Sequence, residues 1–153
     1  DGANGTNIVE VTTSITEVDC VAIAYDPTSA TGRLYILVEK QSGGGIDSYY
    51  TDDEGSTVSV ATVVSAAGTH VSVGINPMGK RCVVFRHTGS DLRRVIYDPQ
   101  GNIITASSVI VASGVQNDQT AISWRLGSWY LYYHDTAAGI TQLVSVDDGE
   151  TFA

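Results

Sequence analysis

Basic residues are scarce in this sequence of 153 residues, which has 8 lysines and arginines against 17 aspartates and glutamates and a formal net charge of −9 at pH 7. A chain this acidic is poorly suited to binding a phosphate backbone by counterion release, so no nucleic-acid partner is expected. Anionic membrane surfaces are disfavoured for the same reason. No apolar run approaches the roughly 20 residues of a membrane helix, and no signal peptide is visible. Membrane insertion is therefore not expected.

Cysteine and histidine are also few. Cys20 and Cys82 lie in or beside apolar segments and are expected to be buried, unpaired thiols, although a disulfide between them stays open. None of the three histidines has a close-spaced histidine or cysteine partner, which disfavours a zinc site. The sequence has no phosphate-binding glycine loop and no G-x-S-x-G elbow. We therefore expect no metal, no cofactor and no catalytic residues.

What the sequence does contain is a repeat of about 48 residues. Gly32, Gly79 and Gly127 lie 47 and 48 residues apart, and each precedes a strongly apolar segment. No helical period of convincing length is present, whereas short strand patterns lie on both sides of each apolar segment. The patterns predict first strands at 21–25, 71–75 and 120–124, second strands at 34–38, 82–85 and 129–133, third strands at 46–51, 92–97 and 140–145, and fourth strands at 57–64 and 103–111.

The second strand of each repeat is apolar on both faces, which is typical of an inner strand covered by neighbouring sheets. A four-stranded unit of this length that buries both faces is a propeller blade. We predict an all-β fold, a β-propeller built of four-stranded antiparallel blades, three blades per chain. A β-sandwich is the alternative. The blades are expected at about 19–64, 70–111 and 119–153 within a single domain covering 1–153.

The N-terminal segment 6–14 resembles the fourth strands that follow Gly55 and Gly101. It is predicted to be an outer strand that completes a blade of its own chain or of a partner. Propellers usually have four to eight blades, so three are few for a closed ring. We expect either a homo-oligomer with strand exchange or part of a longer propeller, and the start at Asp1 is expected of a processed or excised chain.

Three turns follow the third strands, and the last one carries a recognisable motif. Residues 145–152 match every fixed position of S-x-D-x-G-x-T-W/F, the first turn has Val58 in place of the aromatic residue, and the middle turn has Pro99 in place of the aspartate. At these residues the chain resembles the BNR or Asp-box repeat family of sialidase-like propellers. We expect a structural turn in which aspartate accepts hydrogen bonds and glycine supplies a positive φ. The matching residues are Thr51, Asp53, Gly55, Thr57, Ser145, Asp147, Gly149, Thr151 and Phe152.

The ends of the second strands carry polar residues that would lie together at the functional mouth of such a propeller. We name these six candidates for ligand binding the rim residues: Glu39, Lys40, Arg86, His87, His134 and Asp135. A solvated rim without a ligand is the alternative. The aromatic residues of segment 129–133 are expected in the core rather than in a sugar-binding groove.

The resemblance implies a range of functions, because Asp-box propellers include sialidases, other glycosidases, lectins and phage tail or adhesin proteins. We expect a non-enzymatic binding or structural module that recognises carbohydrate or a host surface, of the virion tail fibre or adhesin type. Its location would be extracellular or on a virion surface, and its partners would be itself and a glycan. The alternative is a fragment of a sialidase-like glycoside hydrolase.

Overall fold

A computed structural model describes residues 18–30, 32–40, 45–53, 57–64, 68–87 and 89–153. These residues form eleven strands in three antiparallel sheets. Blade 1 comprises β1 (Val18–Asp26), β2 (Arg33–Lys40), β3 (Ile46–Thr51) and β4 (Ser59–Val64). Blade 2 comprises β5 (Gly68–Ile75), β6 (Arg81–His87), β7 (Leu92–Tyr97) and β8 (Ile103–Val111). Blade 3 comprises β9 (Ala121–Arg125), β10 (Ser128–Asp135) and β11 (Gly139–Ser145).

The sheets follow the up-and-down strand order of propeller blades. Blades 1 and 2 run β1-β2-β3-β4 and β5-β6-β7-β8, and blade 3 runs β9-β10-β11. Ala153 exchanges two backbone hydrogen bonds with Val144, of 2.9 and 3.1 Å, at the position where Ser59 pairs with Tyr50 in blade 1. The predicted all-β fold of antiparallel propeller blades, three per chain, is confirmed. The predicted strand 6–14 lies outside the described residues.

The second strand of blade 2 is buried on both faces because it lies between blade 1 and blade 3. In β6, Val83 and Phe85 pack in a cluster with blade 1, while Cys82 and Val84 pack in a cluster with blade 3. Successive side chains of a strand point to opposite faces, so an inner strand must be apolar at every position to fill both clusters. This alternation explains the continuous apolar runs that define the repeat.

The repeat glycines lie in the turns before the second strands. Gly32, Gly79 and Gly127 have φ values of +74°, +79° and +85°, a left-handed conformation that favours glycine. At Gly79 a Cβ atom would also lie 2.4 Å from the Thr28 hydroxyl of blade 1. Glycine therefore recurs because the turn needs a positive φ and, at Gly79, because the two blades lie too close for a side chain.

The turns of blades 1 and 3 after the third strand are held by one aspartate each. In blade 3, Asp147 accepts hydrogen bonds from the Thr151 N–H at 2.9 Å, the Thr151 hydroxyl at 2.5 Å and the Ser145 hydroxyl at 2.7 Å. In blade 1, Asp53 accepts from the N–H and the hydroxyl of Thr57 at 2.8 and 2.7 Å. Gly149 has φ +94° and Gly55 lies outside the described residues.

The middle turn keeps this hydrogen bonding with a shifted aspartate. Asp98 accepts from the N–H and the side-chain amide of Asn102 at 2.7 and 2.8 Å, which is the same four-residue reach as in the other two turns. The spacing of the motif predicts the aspartate at the position of Pro99, one residue further along. The turn is therefore shifted by one residue and still carries its carboxylate.

Candidate functional site

The rim residues of blade 1 are engaged in local contacts. Glu39 is buried, and its carboxylate accepts a hydrogen bond of 2.6 Å from the backbone N–H of His70 in blade 2. Burial is the main cause that raises the pKa of Glu39. Lys40 forms an ion pair of 3.2 Å with Asp47 on the neighbouring strand.

The rim arginine of blade 2 donates with all three guanidinium nitrogens. The acceptors are the Val115 carbonyl at 3.2 Å, the Asn117 side-chain oxygen at 3.3 Å and the Ser90 hydroxyl at 3.2 Å from Arg86. These contacts tie the end of β6 to the connection that leads into blade 3. Arg86 is thus already supplied with acceptors from the protein.

The remaining rim residues also have partners on their own or adjacent loops. His87 lies 3.2 Å from Asp91, and His134 lies 2.5 Å from Asp118. Asp135 accepts from two backbone N–H groups of its turn, and these hydrogen bonds lower its pKa. In the described part of the chain, none of these hydrogen bonds or ion pairs joins two rim residues, and their role in ligand binding stays a prediction.

The aromatic residues of β10 divide between the two faces of the strand. Trp129 and Tyr133 are buried against blade 2, as the core interpretation expects, whereas Tyr132 is 40% exposed and Tyr130 is half-buried on the opposite face. Strand alternation accounts for the division.

A cavity of about 300 Å³ lies between blades 1 and 2. It is found where the second strands begin, at the end opposite the rim residues, and we name it the inter-blade cleft. Its position was not predicted from the sequence. Its lining consists mostly of tyrosine, arginine and small polar groups, namely Arg33, Tyr35, Ser48, Tyr50, Val63, Arg81, Tyr97, Gln100, Gly101 and Ile103.

Arg81 lines the blade 2 side of the inter-blade cleft. The residue is only 6% exposed, and its Cζ atom lies 3.9 Å from the ring centroid of Tyr35 and 4.3 Å from that of Tyr97. Its Nε and Nη1 atoms are buried and have no hydrogen-bond partner among the described residues. Burial lowers the pKa of Arg81, and burial likewise raises the pKa of Tyr97.

The blade 1 side presents a second arginine, and this one is paired. Arg33 donates to both carboxylate oxygens of Asp52, at 2.5 and 2.7 Å, and its Cζ atom lies 4.5 Å from the ring centroid of Tyr50. The hydrogen bonds to Asp52 raise the pKa of Arg33, and the same contacts lower the pKa of Asp52. The hydroxyl of Ser48, on the neighbouring strand, is buried and has no partner in the described part of the chain.

One sequence signal could have indicated the inter-blade cleft. Arg81 occupies the position in the repeat that Leu34 and Trp129 hold in the other two blades. A charged residue at a position otherwise apolar and inward-facing indicates a special environment. The apolar pattern alone predicts a strand that starts at Cys82, whereas β6 starts at Arg81.

The described residues contain no group of three or more His, Cys, Asp or Glu side chains that could hold a metal ion. In the turn after β3, Asp52 accepts a hydrogen bond from Arg33, and Asp53 accepts one from the Thr57 hydroxyl. Within the ranges that the structure covers, no helix has the length and apolarity needed to cross a membrane.

Comparison with known proteins gives matches by structure. No protein-family model and no curated protein matches the chain. A family 43 arabinoxylan arabinofuranohydrolase from Bacillus subtilis, in complex with cellotetraose, matches with a TM-score of 0.67 at 14% identity, over 91% of this chain and 36% of that one. The Aleuria aurantia lectin, in complex with alpha-methyl-L-fucoside, matches with a TM-score of 0.55 at 15% identity, over 87% and 42%.

A Hadza microbial sialidase matches with a TM-score of 0.54 at 16% identity, over 79% of this chain and 26% of that one. The chain thus spans less than half the length of each of these three proteins. At such identities the similarity shows the propeller fold alone.

Proposed function

We propose that this chain is a non-enzymatic, carbohydrate-recognising propeller module. The observation that carries the proposal is the inter-blade cleft, where Tyr35, Tyr50 and Tyr97 line a cavity of about 300 Å³ together with two arginines. Ligand pockets of this size combine aromatic surface with a few convergent polar groups. Aromatic rings offer a flat apolar face to a sugar ring, and hydroxyl and guanidinium groups offer hydrogen bonds.

The proposed setting is the recognition of a host or cell surface by a virion tail fibre or adhesin, on the virion or outside the cell. The similarity of fold to a fucose-complexed lectin and to carbohydrate-active enzymes supports a sugar ligand. Within the fold, the proposal places recognition in the inter-blade cleft rather than on the rim residues, because the latter are already paired.

The alternative function, a fragment of a sialidase-like glycoside hydrolase, is favoured by one observation. Glu39 is buried with a raised pKa, and the negative charge of Asp19 contributes to that shift. A carboxyl of raised pKa near a second carboxyl is the requirement for general acid catalysis of glycoside hydrolysis. The hydrogen bond from the His70 N–H to Glu39 opposes this role, because it stabilises the ionised form.

We further propose that the module functions with more than three blades, supplied by a second copy of this chain or by a longer chain. The support is the outward face of β1, where Val21, Ile23 and Tyr25 are 51%, 63% and 61% exposed. Contiguous exposed apolar residues indicate an interaction surface. In blades 2 and 3 the corresponding faces are covered by the preceding blade.

A glycan array that includes neutral and acidic glycans tests the proposed function. We expect binding by at least one class of glycan, abolished by Tyr50→Ala and retained in the matched control Tyr132→Ala, which is exposed on blade 3. Absence of binding across the array would contradict the proposal. Turnover of fluorogenic glycosides that is lost in Glu39→Gln would favour the hydrolase instead.

A further inference from the structure

The first strands of the three blades carry large side chains on one face and small side chains on the other. Neighbouring blades contact each other chiefly through these strands, β1 with β5 and β5 with β9. Successive side chains of a strand point to opposite faces, so each first strand presents one row of side chains to the preceding blade and the other row to the next. The rows therefore determine how closely adjacent blades can approach.

Between blades 1 and 2, a small row meets a large row. The small row is Cys20 and Ala22 of β1, and it packs in one cluster with Val71, Val73 and Ile75 of β5. Side chains of unequal size on facing strands fill the space between two sheets without a clash or a void.

The interface between blades 2 and 3 repeats this arrangement. At Gly74 of β5, a Cβ atom would lie 2.8 Å from the Trp129 ring and 3.3 Å from the Ile122 carbonyl oxygen, so the position requires the smallest residue. The hydroxyl of Ser72 lies 2.9 Å from that of Thr120 on the facing segment. The small row of each blade thus receives the large row of the blade that follows it.

This series leaves a large row at one end of the molecule and a small row at the other. On β1, Ile23 and Tyr25 are 63% and 61% exposed, whereas Ile122, which holds the position of Ile23 in blade 3, is only 8% exposed. On β9, Ala121 and Ser123 are exposed on the face directed away from blade 2. Contiguous exposed apolar residues indicate an interaction surface, and the exposed small row has the size that fits it.

We propose that a second copy of this chain packs the small row of its blade 3 on the large row of blade 1, and that the reciprocal contact closes the two copies into a ring. The two open faces of one chain continue the series of its own interfaces, so a second copy offers the complementary surface at both ends. Head-to-tail contacts of this kind form a ring when the rotation closes.

Three blades from each copy give a total within the usual range of about four to eight blades in a propeller. The inference rests on the proposal that the module functions with more than three blades, and it names the partner. Each copy has a net charge of −9, so long-range repulsion opposes the association. Added salt screens that repulsion and is expected to strengthen the dimer.

Sedimentation velocity of the wild-type chain tests the proposal over a dilution series from about 100 μM to about 1 μM. We expect a species of twice the mass of the chain at the upper end of the series. A monomer throughout, or an open series of larger species, would overturn the inference. Dissociation promoted by salt would also contradict it, because the rows that meet are uncharged.

Two variants place the same charge in the two rows. Ile23→Glu alters the large row and Ser123→Glu the small row, and each is expected to raise the dissociation constant about ten-fold or more, since an unpaired carboxylate would be buried in the contact. Met78→Glu adds the same charge at an exposed position of the turn between β5 and β6 and serves as the matched control. It is expected to sediment like the wild-type chain.

An equimolar mixture of Ile23→Glu and Ser123→Glu tests the head-to-tail arrangement. One unaltered contact remains, between the small row of the first variant and the large row of the second. We expect the mixture to form pairs that neither variant forms alone, and failure to do so would overturn the ring.

Thermal unfolding of each variant separates loss of association from loss of folding, and the wild-type measurement needs no variant at all. The glycan array decides the proposed function independently. Glycan binding by a chain that stays monomeric would keep the proposed function and remove only this inference, whereas a dimer that binds no glycan would do the reverse.

Discussion

The two interfaces between blades are built on the same strands and differ in what fills them. Between blades 1 and 2, Arg81 lies beside an open cavity. At the corresponding place between blades 2 and 3, Trp129 is fully buried and packs on Gly74, where a Cβ atom would lie 2.8 Å from the indole. Ile96 and Arg94 take the positions that Tyr50 and Ser48 hold in the first interface.

Within the ranges that the structure describes, both interfaces contain buried donors without partners, since the indole N–H of Trp129 and Nε of Arg94 are also unpaired. The second interface adds polar links across blades, with Lys80 pairing to Asp148 and the Arg94 guanidinium donating to the Glu150 carbonyl. The two interfaces differ in their free volume. The first interface contains a cavity lined by tyrosine and arginine side chains, whereas Trp129 fills the second, so the first interface is the one suited to binding.

The largest expected effect on stability comes from removing the tryptophan side chain that fills the second interface. Trp129→Ala should cost about 3–5 kcal/mol of unfolding free energy, because a large buried side chain is removed and a cavity remains. Urea denaturation measures the loss. The matched control Tyr132→Ala, on the exposed face of the same strand, should cost far less. A loss below about 1 kcal/mol for Trp129→Ala would show that the interface can collapse around the change.

Acid should weaken the turns that flank both interfaces. Hydrogen bonds from Thr151 and Ser145 lower the pKa of Asp147, and those from Asn102 lower the pKa of Asp98. A folded-state pKa below the unfolded value of about 3.9 stabilises the fold above that pH, and the stabilisation is lost as pH falls through the folded pKa. We expect Asp147→Asn and Asp98→Asn to lower the urea midpoint at pH 7. The deficit should shrink at pH 3 and below, and a deficit independent of pH would contradict the assignment.

Removing the charge from the first interface should leave stability nearly unchanged. Arg81→Met keeps a similar volume and eliminates a buried cation whose Nε and Nη1 have no acceptor among the described residues, while it loses the contacts with Tyr35 and Tyr97. Because these two effects oppose each other, the unfolding free energy is expected to change by no more than about 1 kcal/mol. A loss above about 3 kcal/mol in urea denaturation would show that Arg81 is mainly a packing residue.

The smallest effect is expected for the polar link of the second interface. Asp148→Asn removes the charge that pairs with Lys80 and retains a residue that tolerates the positive φ of +64° at this position. Partly exposed ion pairs contribute about 0–1 kcal/mol. Thermal unfolding at low and high salt measures it, and a destabilisation that persists unchanged at 1 M salt would point to lost packing instead of lost charge.

The strands could be predicted closely because their pattern is local. The bounds of β3, β7 and β8 agree with the predicted 46–51, 92–97 and 103–111. β5 begins at Gly68 rather than at residue 71, because the register shifts between Thr69 and Ser72 and His70 has φ +53°. A bulge of this kind breaks the alternation on which strand prediction depends.

The inter-blade cleft could not be predicted in the same way, because it depends on residues from two blades. Arg81 meets Tyr35 across an interface and Tyr97 across a sheet, and the free volume between them follows from the small size of their neighbours. Neither these contacts nor the free volume can be inferred from the sequence of a single repeat. The aspartate of the middle turn was not predicted because the motif fixes its spacing from the turn glycine. The hydrogen bonds require only that the aspartate and its donor residue be four positions apart, as Asp98 and Asn102 are.

The two cysteine thiols are buried to different degrees, so a thiol reagent can label one of them selectively. Cys82 is fully buried, with its pKa raised to about 12, whereas Cys20 is half-buried and its Sγ lies 3.3 Å from the Gln119 amide nitrogen of the segment leading into blade 3. A thiol reagent should therefore modify Cys20 first. The same thiol lies 3.8 Å from the Val71 carbonyl oxygen of blade 2, so its alkylation rate would report how often blade 1 opens away from blade 2 and from the Gln119 segment, without any engineered cysteine.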